Sequence, residues 1–210
     1  MSGWGLMRYA GGDEYEGAFF KGRADGHGYL TAGNGDRYSG SFRDGLPSGH
    51  GVKAWADGRK YEGEWRGGHE HGRGRASWED GSWCEGQWVT GCLHGDGVLV
   101  NCHGDRYEGG WAEHRLHGEG QWTFASGVVY RAKWNQGQPA SDGELLNLPA
   151  QGGGPSVDRA ALFRSKMLAA TLSTHKDGSP APPDPQLEDL DTILKSSRGA
   201  LGALGGGGGG

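Results

Sequence analysis

Aromatic and glycine positions recur along this chain every 23 residues, and within each recurrence they fall two apart. Tyr15, Tyr38, Tyr61, Tyr107 and Tyr130 share one column, in which Cys84 is the single replacement. Two residues on stand Gly17, Gly40, Gly63, Gly86 and Gly109, then Ala132; two further stand Phe19, Phe42, Trp65, Trp88, Trp111 and Trp134. A step of two is the period of a β-strand, whose side chains project to opposite faces in turn. Each copy therefore sets tyrosine, glycine and a second aromatic on one face, with bare backbone at the glycine over which a large ring can lie. Glu16, Glu62, Glu85 and Glu108 alternate with them and are expected on the opposite, wet face.

A second strand in each copy is marked by Gly26/Gly28, Gly49/Gly51, Gly72/Gly74, Gly95/Gly97 and Gly118/Gly120. Steps of two from these reach Leu30, Trp55, Trp78, Leu99, Trp122 and Phe124, which join the aromatic face. Met1 to Gly12 fits the latter half of another copy, so the array is expected to open mid-hairpin. Gly11-Gly12, Asn34-Gly35, Asp57-Gly58, Asp80-Gly81, His103-Gly104 and Ser126-Gly127 separate successive copies and predict two-residue hairpin turns with positive φ. The longer connection within a copy, such as Lys21 to Asp25, is expected along the other edge. The predicted fold is all-β: an elongated, single-layer antiparallel meander over residues 1–138. It comprises a half repeat at 1–11 and copies starting near 12, 35, 58, 81, 104 and 127. About eleven strands at about 4.8 Å would span roughly 50 Å.

Beyond the array the pattern changes. Residues 139–155 carry glycines and prolines and read as a linker, with Leu145, Leu146 and Leu148 able to extend along the final strand. Pro139 stands where the last copy would turn back, so that copy is expected to lack its second strand. Ser156 can cap an amphipathic helix over 156–175, whose apolar side comprises Val157, Ala161, Phe163, Met167, Leu168 and Leu172. A Pro-rich spacer occupies 176–184. A short helix over 185–196 is predicted from Asp184 as cap, Pro185 in its first position, and Leu187, Leu190, Ile193 and Leu194 at helical intervals. The Gly-rich tail 197–210 carries no folding pattern and is expected to be disordered.

Composition narrows the function classes. With 45 glycines among 210 residues and 34% hydrophobic residues, the chain lacks material for a thick conventional core, and nine tryptophans and seven tyrosines carry the apolar payload. The net charge of −5 divides into 15 basic against 18 acidic residues over 1–139 and 6 against 8 beyond. That balance argues against a nucleic-acid partner. Cys84, Cys92 and Cys102 are odd in number and lack the paired spacing of zinc sites, as expected of reduced thiols. The N-terminus has no signal-peptide pattern and no stretch has the length of a membrane span, so a soluble, cytoplasmic chain is expected.

Tyr61-Glu62-Gly63-Glu64-Trp65 with Gly68, then His71-Gly72-x-Gly74 and Asp80-Gly81, resembles the MORN repeat, the membrane occupation and recognition nexus. Similar strings stand at Tyr107-Glu108-Gly109-Gly110-Trp111 with His117-Gly118-x-Gly120, and at Tyr15-Glu16-Gly17-Ala18-Phe19. The chain departs from the pattern at Cys84, at His114 in place of a glycine, and at Ala132. The resemblance implies a binding scaffold of a ciliary or flagellar axoneme, such as a radial spoke, or of a cytoskeletal complex. Two alternatives are a phospholipid-binding or membrane-junction module and a regulatory repeat fragment of an enzyme.

Catalytic chemistry finds little support. His69 and His71 near Cys84 or Cys92 form the best local cluster, yet His71, His94 and His117 occupy one repeat column and have a structural role at a hairpin bend. Gly26-His27-Gly28 and its equivalents lie inside strands with no subsequent helix to receive a phosphate. No catalytic residue, cofactor or metal site is therefore expected, and the chain is read as a non-enzyme. The expected protein-binding residues are Tyr15, Phe19, Tyr38, Phe42, Tyr61, Trp65, Trp88, Tyr107, Trp111, Tyr130 and Trp134, with Trp55, Trp78 and Phe124. A single layer has no second sheet to cover such a face, so it is expected to receive an apolar helix, either a partner's or the chain's own 157–174. Protein partners are expected, and the unpaired sheet edges leave a homodimer open.

Overall fold

The computed structural model describes residues 2–140 and 143–147. The expected helices at 156–175 and 185–196, the spacer, the tail and most of the linker lie outside the described residues. Within them stand fourteen strands and no helix. β1 (Gly3–Arg8) is succeeded by five hairpins: β2 (Glu14–Phe20) with β3 (Arg23–Thr31), β4 (Arg37–Arg43) with β5 (Leu46–Ala54), β6 (Lys60–Arg66) with β7 (His69–Ser77), β8 (Trp83–Val89) with β9 (Cys92–Val100), and β10 (Arg106–Ala112) with β11 (Arg115–Thr123). β12 (Val129–Asn135) then pairs with two short segments, β13 (Gln138–Pro139) and β14 (Glu144–Leu146). β1 to β13 run in chain order through a single open antiparallel sheet, the meander that the 23-residue phase predicts. Two of these strands, β13 and β14, come from the divided C-terminal end, where no second strand was expected.

Register is set by the glycines. Gly17 faces Gly28, Gly28 faces Gly40, Gly40 faces Gly51, and the same pairing continues to Gly109 and Gly120. A tyrosine ring lies over the pair in four of the five hairpins: a Cβ on Gly28, Gly51, Gly74 or Gly120 would strike the ring of Tyr15, Tyr38, Tyr61 or Tyr107. The first glycine of each second-strand pair serves differently. Register slips by a bulge on the second strand of every one of the five hairpins, and Gly26, Gly49, Gly72, Gly95 and Gly118 supply the positive φ within it.

The two kinds of turn are exchanged relative to expectation. Between copies the loop has three residues: Gly35 N–H donates to Ala32 O (2.9 Å) and Ala32 N–H to Asp36 O (2.8 Å), with Gly35 at φ 95°. That is a type I turn completed by a left-handed glycine, and Asn34 keeps negative φ because its Oδ1 accepts the Asp36 N–H (3.0 Å). The two-residue turns lie within copies, where both residues have positive φ, as at Lys21 (48°) and Gly22 (82°). Their tightness brings each turn against its neighbour. Gly45 N–H donates to Ala24 O (2.8 Å), Gly68 to Pro47 O (2.9 Å) and Gly91 to Glu70 O (2.9 Å).

The last copy also departs from expectation. Pro139 interrupts its second strand without abolishing it, because the chain resumes pairing with Leu145 opposite Tyr130 and Leu146 opposite Val129.

Candidate functional site

The aromatic face is built as a zigzag ladder. Tyr15, Tyr38, Tyr61 and Tyr107 each meet the aromatic four residues on in their own copy and the corresponding ring of the next, nearly perpendicular in both cases. Tyr15 reaches Phe19 at 5.1 Å and Phe42 at 4.9 Å, Tyr38 reaches Phe42 and Trp65, and Tyr61 reaches Trp65 and Trp88. Tyr107 meets Trp111, Trp122 and Trp134, and Tyr130 meets Trp134. Edge-to-face contact places the positive ring edge on the negative ring face, a gain of about 0.5–1.5 kcal/mol per pair beyond area burial.

This tiling buries the eleven rings of the two principal columns, Tyr15, Phe19, Tyr38, Phe42, Tyr61, Trp65, Trp88, Tyr107, Trp111, Tyr130 and Trp134. Four of the tyrosines turn their polar ends to backbone. The hydroxyls of Tyr15, Tyr38, Tyr61 and Tyr107 donate to the carbonyls of Ala18 (2.9 Å), Ser41 (3.1 Å), Glu64 (3.2 Å) and Gly110 (3.1 Å). Burial pushes Tyr38 up to about 12, and raises Tyr61 and Tyr107 further still. None of these three phenols is available as an acid or base near neutral pH.

The ladder has one gap. Cys84 supplies no ring, and Leu93, fully buried, brings Cδ1 over Gly86 where a tyrosine would lie. Burial raises the Cys84 thiol to about 12, so it packs as an apolar group. His114, the departure in the turn between β10 and β11, sets its ring edge against Trp88 (5.6 Å) and accepts the Leu93 N–H at Nδ1 (3.3 Å).

Three of the expected binding residues stand apart from the buried columns. Trp55, Trp78 and Phe124 are half-buried against the core at the between-copy edge of this face. The Arg59 guanidinium stacks 3.7 Å above the Trp55 ring, with Lys53 Nζ 4.6 Å away. Beside them opens a cavity of about 200 Å³ walled by Trp55, Trp78, Tyr61, Trp88 and His114, with Arg59 and Glu70 as its charged members. Its walls combine aromatic rings with the polar groups of Arg59, Glu70 and His114.

The opposite face carries the expected exposed Glu16, Glu62, Glu85 and Glu108 but is not uniformly polar. Trp4, Leu6 and Tyr29 are exposed there, and Arg75 stacks on Trp83 (3.9 Å) above a shallow groove. Sequence reasoning missed this mixture, although Trp4, Leu6 and Tyr29 alternate with the glycines as legibly as the main columns. His71, His94 and His117 each precede a bulge glycine, and Cys84, Cys92 and Cys102 are free. Among the described residues no group of three or more His, Cys, Asp or Glu side chains is placed to hold a metal ion, and no helix is long and apolar enough to cross a membrane.

An open sheet of repeated hairpins with most of its rings packed on one face defines a β-repeat protein. The MORN repeat matches at residues 15–37, 38–58, 61–83 and 107–129, and the chain belongs to the MORN-repeat family. The stretch between the last two matches is the copy in which Cys84 and Leu93 replace the tyrosine, yet β8 and β9 keep the array's pairing there. No protein of curated function matches the chain. Among solved structures it is similar to the TCP domain of Drosophila melanogaster SAS-4, solved with a proline-rich motif of Ana2. The two are 13% identical over 70% of this chain and 84% of that one, with a TM-score of 0.39. It is also similar to the TCP10 domain of Danio rerio CPAP, solved with a STIL peptide, at 13% identity over 61% and 67% and a TM-score of 0.26. At such TM-scores neither likeness bears on this chain's partner.

Proposed function

We propose that this protein is a non-enzymatic adaptor that receives an apolar segment of another protein on its aromatic face. The observation that carries this reading is the half-buried row of Trp55, Trp78 and Phe124 beside an aromatic-walled cavity, on a face whose other rings are closed against each other. Contact is made through that row, while Tyr61, Trp65, Trp88 and their column mates hold it in place. Aromatic anchors in a partly desolvated cleft are the residues that dominate binding energy at protein interfaces. Family membership supports a binding module for protein or lipid. Within that class the partner is taken to be a component of a ciliary axoneme, such as a radial spoke, or of a cytoskeletal complex. The interspersed charges argue against an anionic-lipid surface.

The test is capture of partners by the full chain compared with a Trp55→Ala/Trp78→Ala variant whose unfolding midpoint confirms that it is folded. Loss of about tenfold or more in capture of a specific protein is expected, the effect of removing two anchors. Undiminished capture by the folded variant would show that this row is not the contact. Salt-sensitive flotation of the chain with anionic vesicles would favour the lipid alternative.

A further inference from the structure

The two outermost strand edges of the sheet are unlike each other. β1 pairs with β2 and with no other described strand, so the far side of its backbone meets no neighbour among the described residues. At the other end, the outer edge of β12 is covered by β13 and β14 and interrupted at Pro139. Open edges are commonly blunted by lysine, proline or a bulge. β1 has neither residue, pairs with β2 without a shift of register, and its one charge, Arg8, is held by Glu14 at 2.6 Å. Apolar side chains gather there instead. Trp4, Leu6, Phe20 and Tyr29, all on the first three strands, are 63%, 52%, 54% and 59% exposed.

This edge is complementary to itself. Tyr9 N–H donates to Asp13 O (2.9 Å), and bonded pairs alternate along an antiparallel ladder, so Met7, Gly5 and Gly3 turn their backbone groups toward β2. Trp4, Leu6 and Arg8 turn theirs outward. β1 stands in the array as β3 does, with Gly5 in the place of Gly28 and Leu6 in that of Tyr29. In the β2–β3 hairpin Gly28 faces Gly17 and Tyr29 faces Glu16, so a strand added to β1 in the same register sets a glycine opposite Gly5. A second β1 meets that requirement when it runs antiparallel about a twofold axis at Gly5. Gly5 then faces Gly5, and Trp4 faces Leu6 on both sides of the axis, each such pair exchanging its two backbone hydrogen bonds. A slip of one residue would break this match of faces. Trp4 and Leu6 of two copies bring up to about 500 Å² of exposed apolar surface together, about a third of a standard interface, so the association is weak and reversible.

We propose that two copies of this chain join edge to edge through β1, Gly5 opposite Gly5 and Trp4 opposite Leu6, into one continuous antiparallel sheet. The axis passes through the sheet, so both aromatic faces lie on the same side of it. The row of Trp55, Trp78 and Phe124 takes no part in the junction.

Sedimentation of the full chain from about 1 μM to about 1 mM, the range of weak association, tests this. A monomer–dimer equilibrium that stops at the dimer is expected. Leu6 is exposed in the single chain, so Leu6→Lys leaves the array folded, as its unfolding midpoint checks, and is expected to weaken dimerisation about tenfold or more. Register is read by disulfide formation in a Cys92→Ser/Cys102→Ser background. A mixture of Trp4→Cys and Leu6→Cys proteins is expected to cross-link, because directly opposed bonded pairs stand about 5.5 Å apart at Cα. Neither protein alone is expected to do so, since its two thiols would lie on a diagonal longer than the roughly 7 Å a disulfide spans. A monomer throughout, assemblies larger than a dimer, a dimer that Leu6→Lys leaves intact, or one without the mixed cross-link would each overturn the proposal.

Discussion

Tryptophans of the ladder differ in what their indole nitrogens do. Trp65 and Trp88 donate to Gly51 O (3.1 Å) and Gly74 O (2.9 Å), whereas the Nε1 groups of Trp111, Trp122 and Trp134 are buried with no acceptor in reach. Trp65→Phe therefore loses a hydrogen bond and Trp111→Phe loses an unmet donor. The first is expected to cost about 1 kcal/mol more than the second in urea unfolding. The gap at Cys84 gives a second residue-scale prediction. Cys84→Tyr alone collides with Leu93 and should destabilise by about 1–3 kcal/mol. Leu93→Ala in the same chain frees the place over Gly86 and is expected to recover most of that loss, which a double-mutant cycle measures. The columns were legible in the sequence because steps of two recur in phase. The compensation was not, because Leu93 shares its column with Ala24, Pro47, Glu70 and Leu116, a set with no pattern to depart from.

Hairpins are fastened to one another at both edges. On the between-copy edge, Oδ1 of Asp13, Asp36 and Asp105 accepts the backbone N–H of Gly33, Ala56 and Ala125 in the next turn (2.9, 3.0 and 2.9 Å). Partial burial pushes the Asp36 carboxyl up, but the Ala56 N–H, Lys53 and Asn34 outweigh it and hold the pKa below the ordinary value. Because the folded pKa is the lower one, this carboxylate stabilises the fold above the unfolded value of about 4. That contribution is lost as pH falls through the folded value. Asp36→Asn is accordingly expected to flatten the acid limb of a stability profile below about pH 4 while changing its alkaline side little. Strand positions at this scale were legible, but turn kinds were not. Asn34-Gly35 and Asp44-Gly45 look alike as dipeptides, and only the number of residues between paired strands separates them. Leu145 and Leu146, by contrast, were legible as an extension along the final strand, whereas the short pairing of Pro139 with Trp134 was not.

At the scale of the molecule, each strand from β1 to β11 pairs only with its neighbours in sequence, so the sheet is a chain of nearest-neighbour interfaces. Which rings reach the surface is a property at this scale too. Facing can be read from a single copy, but Tyr15 is covered by Phe42 and Tyr38 by Trp65, each in the copy next along the array. Trp55 and Trp78 remain half-buried because they stand at the edge, outside that overlap.

The stepwise order of β1 to β13 means that the two ends of the array are joined only through every intervening strand pair in series. Force applied between those ends passes through every interface at right angles to the strands, so the sheet would peel rather than shear, the weakest interface yielding first. Each 23-residue unit set free would lengthen the molecule by up to about 75 Å. Such a protein, anchored at both ends within a moving assembly, would release slack in increments before its backbone came under tension.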